Sequence, residues 1–204
     1  MNGGIRNLGY LFGAAGLSLA LAGLALATQG PLEPGLQTAL RWTGRVAFFV
    51  FLIPWLAAPL SVLAPGAVAA RLRAWRRRAG ICFGAMQVVH LALIVWLFQV
   101  AAETPADAGT LVVGGTGLAL ALAMLWTSFD GPRRALDPVN WQRLHKAGVT
   151  LFSFIYFFDF VVVPIQEQSL LAYLPFTLLT LGALLLRTLA FFREREQLPA
   201  YPMR

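Results

Sequence analysis

Residues 76–97, RRRAGICFGAMQVVHLALIVWL, join three arginines to an apolar run long enough to cross a bilayer, with His90 near its middle. An ionisable side chain is costly in hydrocarbon, so a histidine there is a functional candidate by default. A second stretch of this kind opens at 141 with WQRLHK and carries His145. Together the two predict a membrane helix bundle that holds a redox group.

Composition fixes the class. With 58% hydrophobic and 12% charged residues and a mean hydropathy of +0.69, the 204-residue chain would have an apolar surface in water. Apolar runs of about 18 or more residues, each able to cross about 30 Å of hydrocarbon, fall near 8–28, 46–64, 79–101, 110–128, 146–165 and 170–192. The expectation is a single all-α integral membrane domain over 1–204 with six transmembrane helices.

The net charge of +7 does not point to nucleic acid, because the basic residues gather in alternate loops. Arg71, Arg73, Arg76, Arg77 and Arg78 lie between runs two and three. Arg133, Arg134, Arg143 and Lys146 lie between four and five, and Arg187, Arg193, Arg195 and Arg204 close the chain. The other loops carry Glu33, Glu103, Asp107 and Glu167. Positive-inside bias then puts both termini in the cytoplasm. Cys82 is the single cysteine, which excludes a disulfide framework and a cysteine metal site and reads as a small apolar filler.

The first run ends in Ala25-Leu26-Ala27, which resembles a signal-peptidase site; retention as the first helix is the expectation. Residues 29–40, with Pro31, Pro34 and Gly35, read as an outside loop. Trp42 fits the interfacial aromatic belt, and Arg45 the snorkelling position beside it. Pro54 and Pro59 interrupt the second run. Gly80, Gly84 and Ala85 allow a helix or a flat cofactor to approach closely, whereas Gly114, Gly115 and Gly117 read as packing. The half-helix FSFIYFFDF at 152–160 reads as aromatic packing.

The intramembrane ionisable residues are His90, His145 and Asp159. A histidine there ligates haem iron, carries protons or hydrogen-bonds within the bundle, and the residues alone leave these open.

WTGRVAFFVFLIPWLAAPL at 42–60, RRRAG with a histidine ten positions after Gly80, TSFD at 127–130 and WQRLHK at 141–146 resemble, in order and spacing, the ferric reductase-like transmembrane domain family. Within it they are most similar to the haem-binding membrane subunits of bacterial periplasmic methionine sulfoxide reductase systems. The resemblance covers most of 8–192. It implies b-type haem held by histidines on helices three and five, with His90 at the outer position of helix three and His145 at the inner position of helix five. The outer position of helix five holds Phe158, and the inner position of helix three holds Arg76. By helix rise His90 and His145 differ in depth by about 15 Å, too far to share one haem.

Three arrangements follow. An outer haem hangs from His90 with Tyr156 or nothing as second ligand; an inner haem uses His145; or no haem binds and His90 pairs with Asp159. The resemblance implies an electron-transfer component, not a self-contained enzyme, in the bacterial inner membrane. It would take electrons from a quinol or a cytoplasmic flavoprotein, with a flavin or quinone on that side, and deliver them to a periplasmic oxidoreductase. The competing class is a haem-free scaffold, a partner-binding protein or a proton-linked transporter.

Overall fold

The computed structural model describes residues 2–103, 106–134 and 136–196, with side chains from Arg6 onward; Arg204 lies outside them. Among the described residues all regular structure is helical. The order is α1 Asn2–Gln29, α2 Glu33–Leu63, α3 Ala67–Val100, α4 Ala108–Trp126, a single turn α5 Asp130–Arg133 and α6 Pro138–Phe157. A π-helical segment Phe158–Val162, the short α7 Val163–Gln166 and α8 Leu170–Glu196 complete it. Among the described residues six stretches are long and apolar enough to cross a membrane: α1 from Arg6, α2, α3, α4, the composite Pro138–Gln166 and α8. Phe12, Val112 and Leu171 are 67%, 68% and 87% exposed, a surface that lipid solvates and water does not. The chain is a multi-pass membrane protein.

Helix starts differ from those expected. The helix of run two begins at Glu33 rather than 46, so Pro34 and Gly35 sit in its first turn and not in a loop. Proline is well suited to that position, where its missing amide hydrogen has no helical partner to lose. The helix of run three begins at Ala67, so Arg71 to Arg78 are helical rather than a basic loop. Hydropathy reports the part of a helix that lipid covers, whereas alanine and arginine extend the helix beyond it. At 34 residues α3 is about 51 Å long, which leaves roughly 20 Å outside the hydrocarbon.

The chain divides into two compact units, each described by itself. The first comprises 1–51 and 77–152, and the second 52–76 and 153–204.

In the first unit, Ala22 and Ala25 of α1, Leu36 and Ala39 of α2, and Val89, Leu93 and Leu97 of α3 form one buried cluster. Trp42, expected in the interfacial belt, packs against this cluster. A second set, Phe51, Phe83 and Phe152, brings three rings within 4.8–5.9 Å of one another. Gly84 accepts α4: a Cβ there would lie 2.7 Å from the Cβ of Leu125. Gly114 and Gly115 differ from the packing role expected, since a Cβ at either position meets open space. At one end Arg77 donates to the Ser128 carbonyl at 2.9 and 3.1 Å and pairs with Asp130 at 2.6 Å. The thiol of Cys82 reaches the Tyr10 carbonyl at 3.7 Å.

Two aspartates cap helices outside the spans. Asp107 accepts from the Thr110 amide of α4, and Asp137 accepts from the Val139 and Asn140 amides of α6. These amides, Thr110 for Asp107 and Asn140 for Asp137 first, hold both carboxyls below the usual aspartate range. A folded value below the unfolded one stabilises the fold above the ordinary 3.8, and that contribution is lost as pH falls through the folded values. Circular dichroism is therefore expected to show the first turns of α4 and α6 fraying below pH 3.8, with a smaller acid response in an Asp107→Asn, Asp137→Asn double variant.

In the second unit the π segment has a local cause. An α-helix would bond the amide of residue 164 to the Phe160 carbonyl, but residue 164 is proline. The Thr177 hydroxyl of α8 donates to that carbonyl instead, at 2.6 Å. Phe160 then stacks on Phe176 at 4.8 Å and on Tyr156 at 5.7 Å, which ties the π segment to α8.

Candidate functional site

His90 lies on α3 ten residues before its end, and Thr43 lies on α2 ten residues after its start. At 1.5 Å per residue both are about 15 Å below the same edge of the first unit. There the His90 Nδ1 is 3.0 Å from the Thr43 Oγ1. The hydroxyl also lies 2.8 Å from the Ala39 carbonyl and 3.2 Å from that of Leu40.

This geometry admits two tautomers of the histidine. A hydroxyl has one proton, and a carbonyl oxygen only accepts. With the Thr43 proton directed to the Ala39 carbonyl, its nearer acceptor, Thr43 Oγ1 accepts from the Nδ1–H of His90; with that proton directed to Nδ1 instead, the ring hydrogen sits on Nε2. In the first of these Nε2 carries the lone pair. A donor at one nitrogen and a lone pair at the other is the state in which a histidine ligates a metal, with Thr43 as the group that orients the ring. Gly44 presents no side chain to the ring, and a Cβ there would lie 3.6 Å from its Cε1. The cluster of Val89, Leu93, Leu97, Leu36 and Ala39 separates the pair from the nearer edge of the unit with apolar side chains.

His145 belongs to a different level. Its Nδ1 donates to the Trp141 carbonyl at 3.0 Å, and its ring stacks on Trp141 with centroids 4.1 Å apart. Trp141 Nε1 donates to the Thr127 carbonyl at 3.1 Å, while the Arg133 guanidinium lies 5.0 Å from the Trp141 ring centre. Arg77 and Trp141 thus both reach the 127–130 segment, which gives a common zero of depth. His90 lies 13 residues beyond Arg77, about 20 Å, and His145 lies four beyond Trp141, about 6 Å. The difference of about 14 Å keeps the two histidines from ligating one haem. The rings of Phe51, Phe83 and Phe152 lie between, since Phe83 is seven residues from His90 and Phe152 seven from His145.

Tyr156 and Asp159 fall in the second unit. Tyr156 is 5% exposed, with its ring parallel to Phe160. Phe158, at the position where the resemblance calls for a ligand, is 43% exposed, and Asp159 beside it is exposed on the π segment.

Thr43 is the site residue that sequence reasoning passed over. It lies between Arg41 and Arg45, ahead of the apolar run expected from 46, so no run marked its hydroxyl, and only the start of α2 at Glu33 puts it level with His90. Compared with known protein families, characterised proteins and solved structures, this sequence and fold match none of them.

Proposed function

We propose that this protein is a transmembrane electron-transfer subunit of the ferric reductase-like kind that holds b-type haem through Nε2 of His90. The observation that carries the reading is the 3.0 Å contact between His90 Nδ1 and Thr43 Oγ1, because it holds the ring by one nitrogen and, in the tautomer that donates from Nδ1, leaves the other as a lone-pair donor. When bound, haem supplies reversible one-electron transfer at mid-bilayer.

The chain's own residues do the rest. Thr43 orients the imidazole, and the apolar cluster excludes water between the ring and the nearer edge. The arginine-rich segments favour an arrangement in the bacterial inner membrane with both termini in the cytoplasm. Electrons would then enter from a quinol or a cytoplasmic flavoprotein and leave to a periplasmic oxidoreductase. His145, on the inner level, suits the entry side. The difference of about 14 Å in depth makes it a separate station from His90.

The test is the absorption spectrum of the reduced protein, purified in detergent after expression with excess haem. A Soret band and the sharper bands of reduced b-type haem are expected. A colourless, folded protein would end the proposal and leave a haem-free membrane scaffold or transporter.

A further inference from the structure

Around α5 the first unit carries a cavity of about 420 Å³, lined by Asp130, Arg133, Arg134, Leu136, Pro138, Trp141 and Gln142. That size lies within the range of about 300–1,000 Å³ typical of small-molecule sites. We infer that this cavity binds the phosphate headgroup of an anionic phospholipid.

Four observations carry the inference. The cavity lies between the end of one candidate span at Trp126 and the start of the next at Pro138, on the membrane-surface side of both. Two guanidiniums line it, and guanidinium is the side-chain group whose planar fork matches phosphate oxygens in pairs. The nearby acids are already engaged. Asp130 is paired with Arg77, and Asp137 is bonded to the Val139 and Asn140 amides. Beside the polar Gln142 and Asp130, the wall includes Leu136, Pro138 and Trp141, an apolar and aromatic part that suits a glycerol backbone and acyl chain rather than a free nucleotide. Trp141 also stacks on His145, so the occupant would sit one ring from the inner histidine.

The experiment uses the full chain in detergent micelles doped with phosphatidylglycerol or phosphatidylcholine, read by thermal unfolding and by lipid retention in native mass spectrometry. Phosphatidylglycerol is expected to raise the unfolding temperature and to be retained, and phosphatidylcholine to do neither. At about tenfold or less per arginine, the Arg133→Gln, Arg134→Gln variant should lose roughly thirtyfold in affinity. Arg134→Lys should lose part of it, and Arg41→Gln, at the far end of α2, none. Should the double variant fail to fold, Arg134→Gln alone carries the test, because Arg133 and its contact with Trp141 then stay in place. Equal effects of the two lipids would overturn the site. So would an unchanged preference in Arg134→Gln and the double variant. Protection by millimolar inorganic phosphate or adenosine monophosphate, without any by phosphatidylglycerol, would overturn the lipid assignment.

Discussion

With haem supplied during expression, His90→Ala is expected to lose the Soret band while circular dichroism still reports a helical fold, and Thr43→Val is expected to keep a weakened band. The two variants separate the ligand from the group that holds it. Removing the imidazole removes the nitrogen that would meet iron. Removing the hydroxyl leaves that nitrogen in place but takes the hydrogen-bond partner from Nδ1, at a cost of about 1–3 kcal/mol, and frees the ring to turn. Loss of such an orienting partner typically weakens a metal site by about ten- to a hundredfold, which haem titration of the Thr43→Val protein would read directly. Thr43→Ser, which restores the acceptor, should recover most of the affinity. A structural hydrogen bond alone would not give this order, because it would change the unfolding temperature and leave haem affinity flat. His145→Ala tests the other level. A band halved by that change would mean a second haem on the inner side, whereas an unchanged band would assign all of it to His90. A full band in His90→Ala would remove the proposal at its root.

The spans and the two histidines were legible because lipid imposes long apolar runs and makes a polar side chain within them conspicuous. The depth difference was legible for a related reason. Helix rise is constant, so counting from the arginines gave about 15 Å, and counting from the 127–130 segment gives about 14 Å. What the residues could not show was which side chains face each other across helices. Thr43 is one polar residue in a 31-residue helix, and only the packing of α2 on α3 brings it to His90. Arg77 likewise reads as one more basic residue of the inner side until Ser128 and Asp130 meet it. The π segment was hidden because its cause is split. Pro164 removes a donor in one place, and Thr177, thirteen residues later, supplies another.

Gly35→Ala is expected to be among the most damaging single substitutions in the chain, although residues 29–40 read as a loop. Gly30 ends α1 with φ +83°, a left-handed conformation that glycine adopts without penalty, and its amide bonds the Leu26 carbonyl at 2.8 Å. The chain then turns so tightly that a Cβ on Gly35 would fall well inside contact distance of the Gly30 carbonyl oxygen. That oxygen is backbone and cannot swing aside as a flexible side chain would. Relief therefore requires α1 and α2 to move apart just where Ala22, Ala25, Leu36 and Ala39 pack, and overpacking of this kind costs about 1–3 kcal/mol or more. The same displacement would carry Thr43, two turns further along α2, away from His90. Gly23→Ala supplies the contrast: it lies on α1 with open space around it, and alanine there should be neutral or stabilise the helix by up to about 1 kcal/mol. Thermal unfolding of the detergent-purified variants is expected to order them Gly23→Ala, wild type, Gly35→Ala from most to least stable. Gly35→Ala should lose haem as well as stability. If it unfolds at the wild-type temperature, the close α1–α2 turn is not what holds this end of the first unit together.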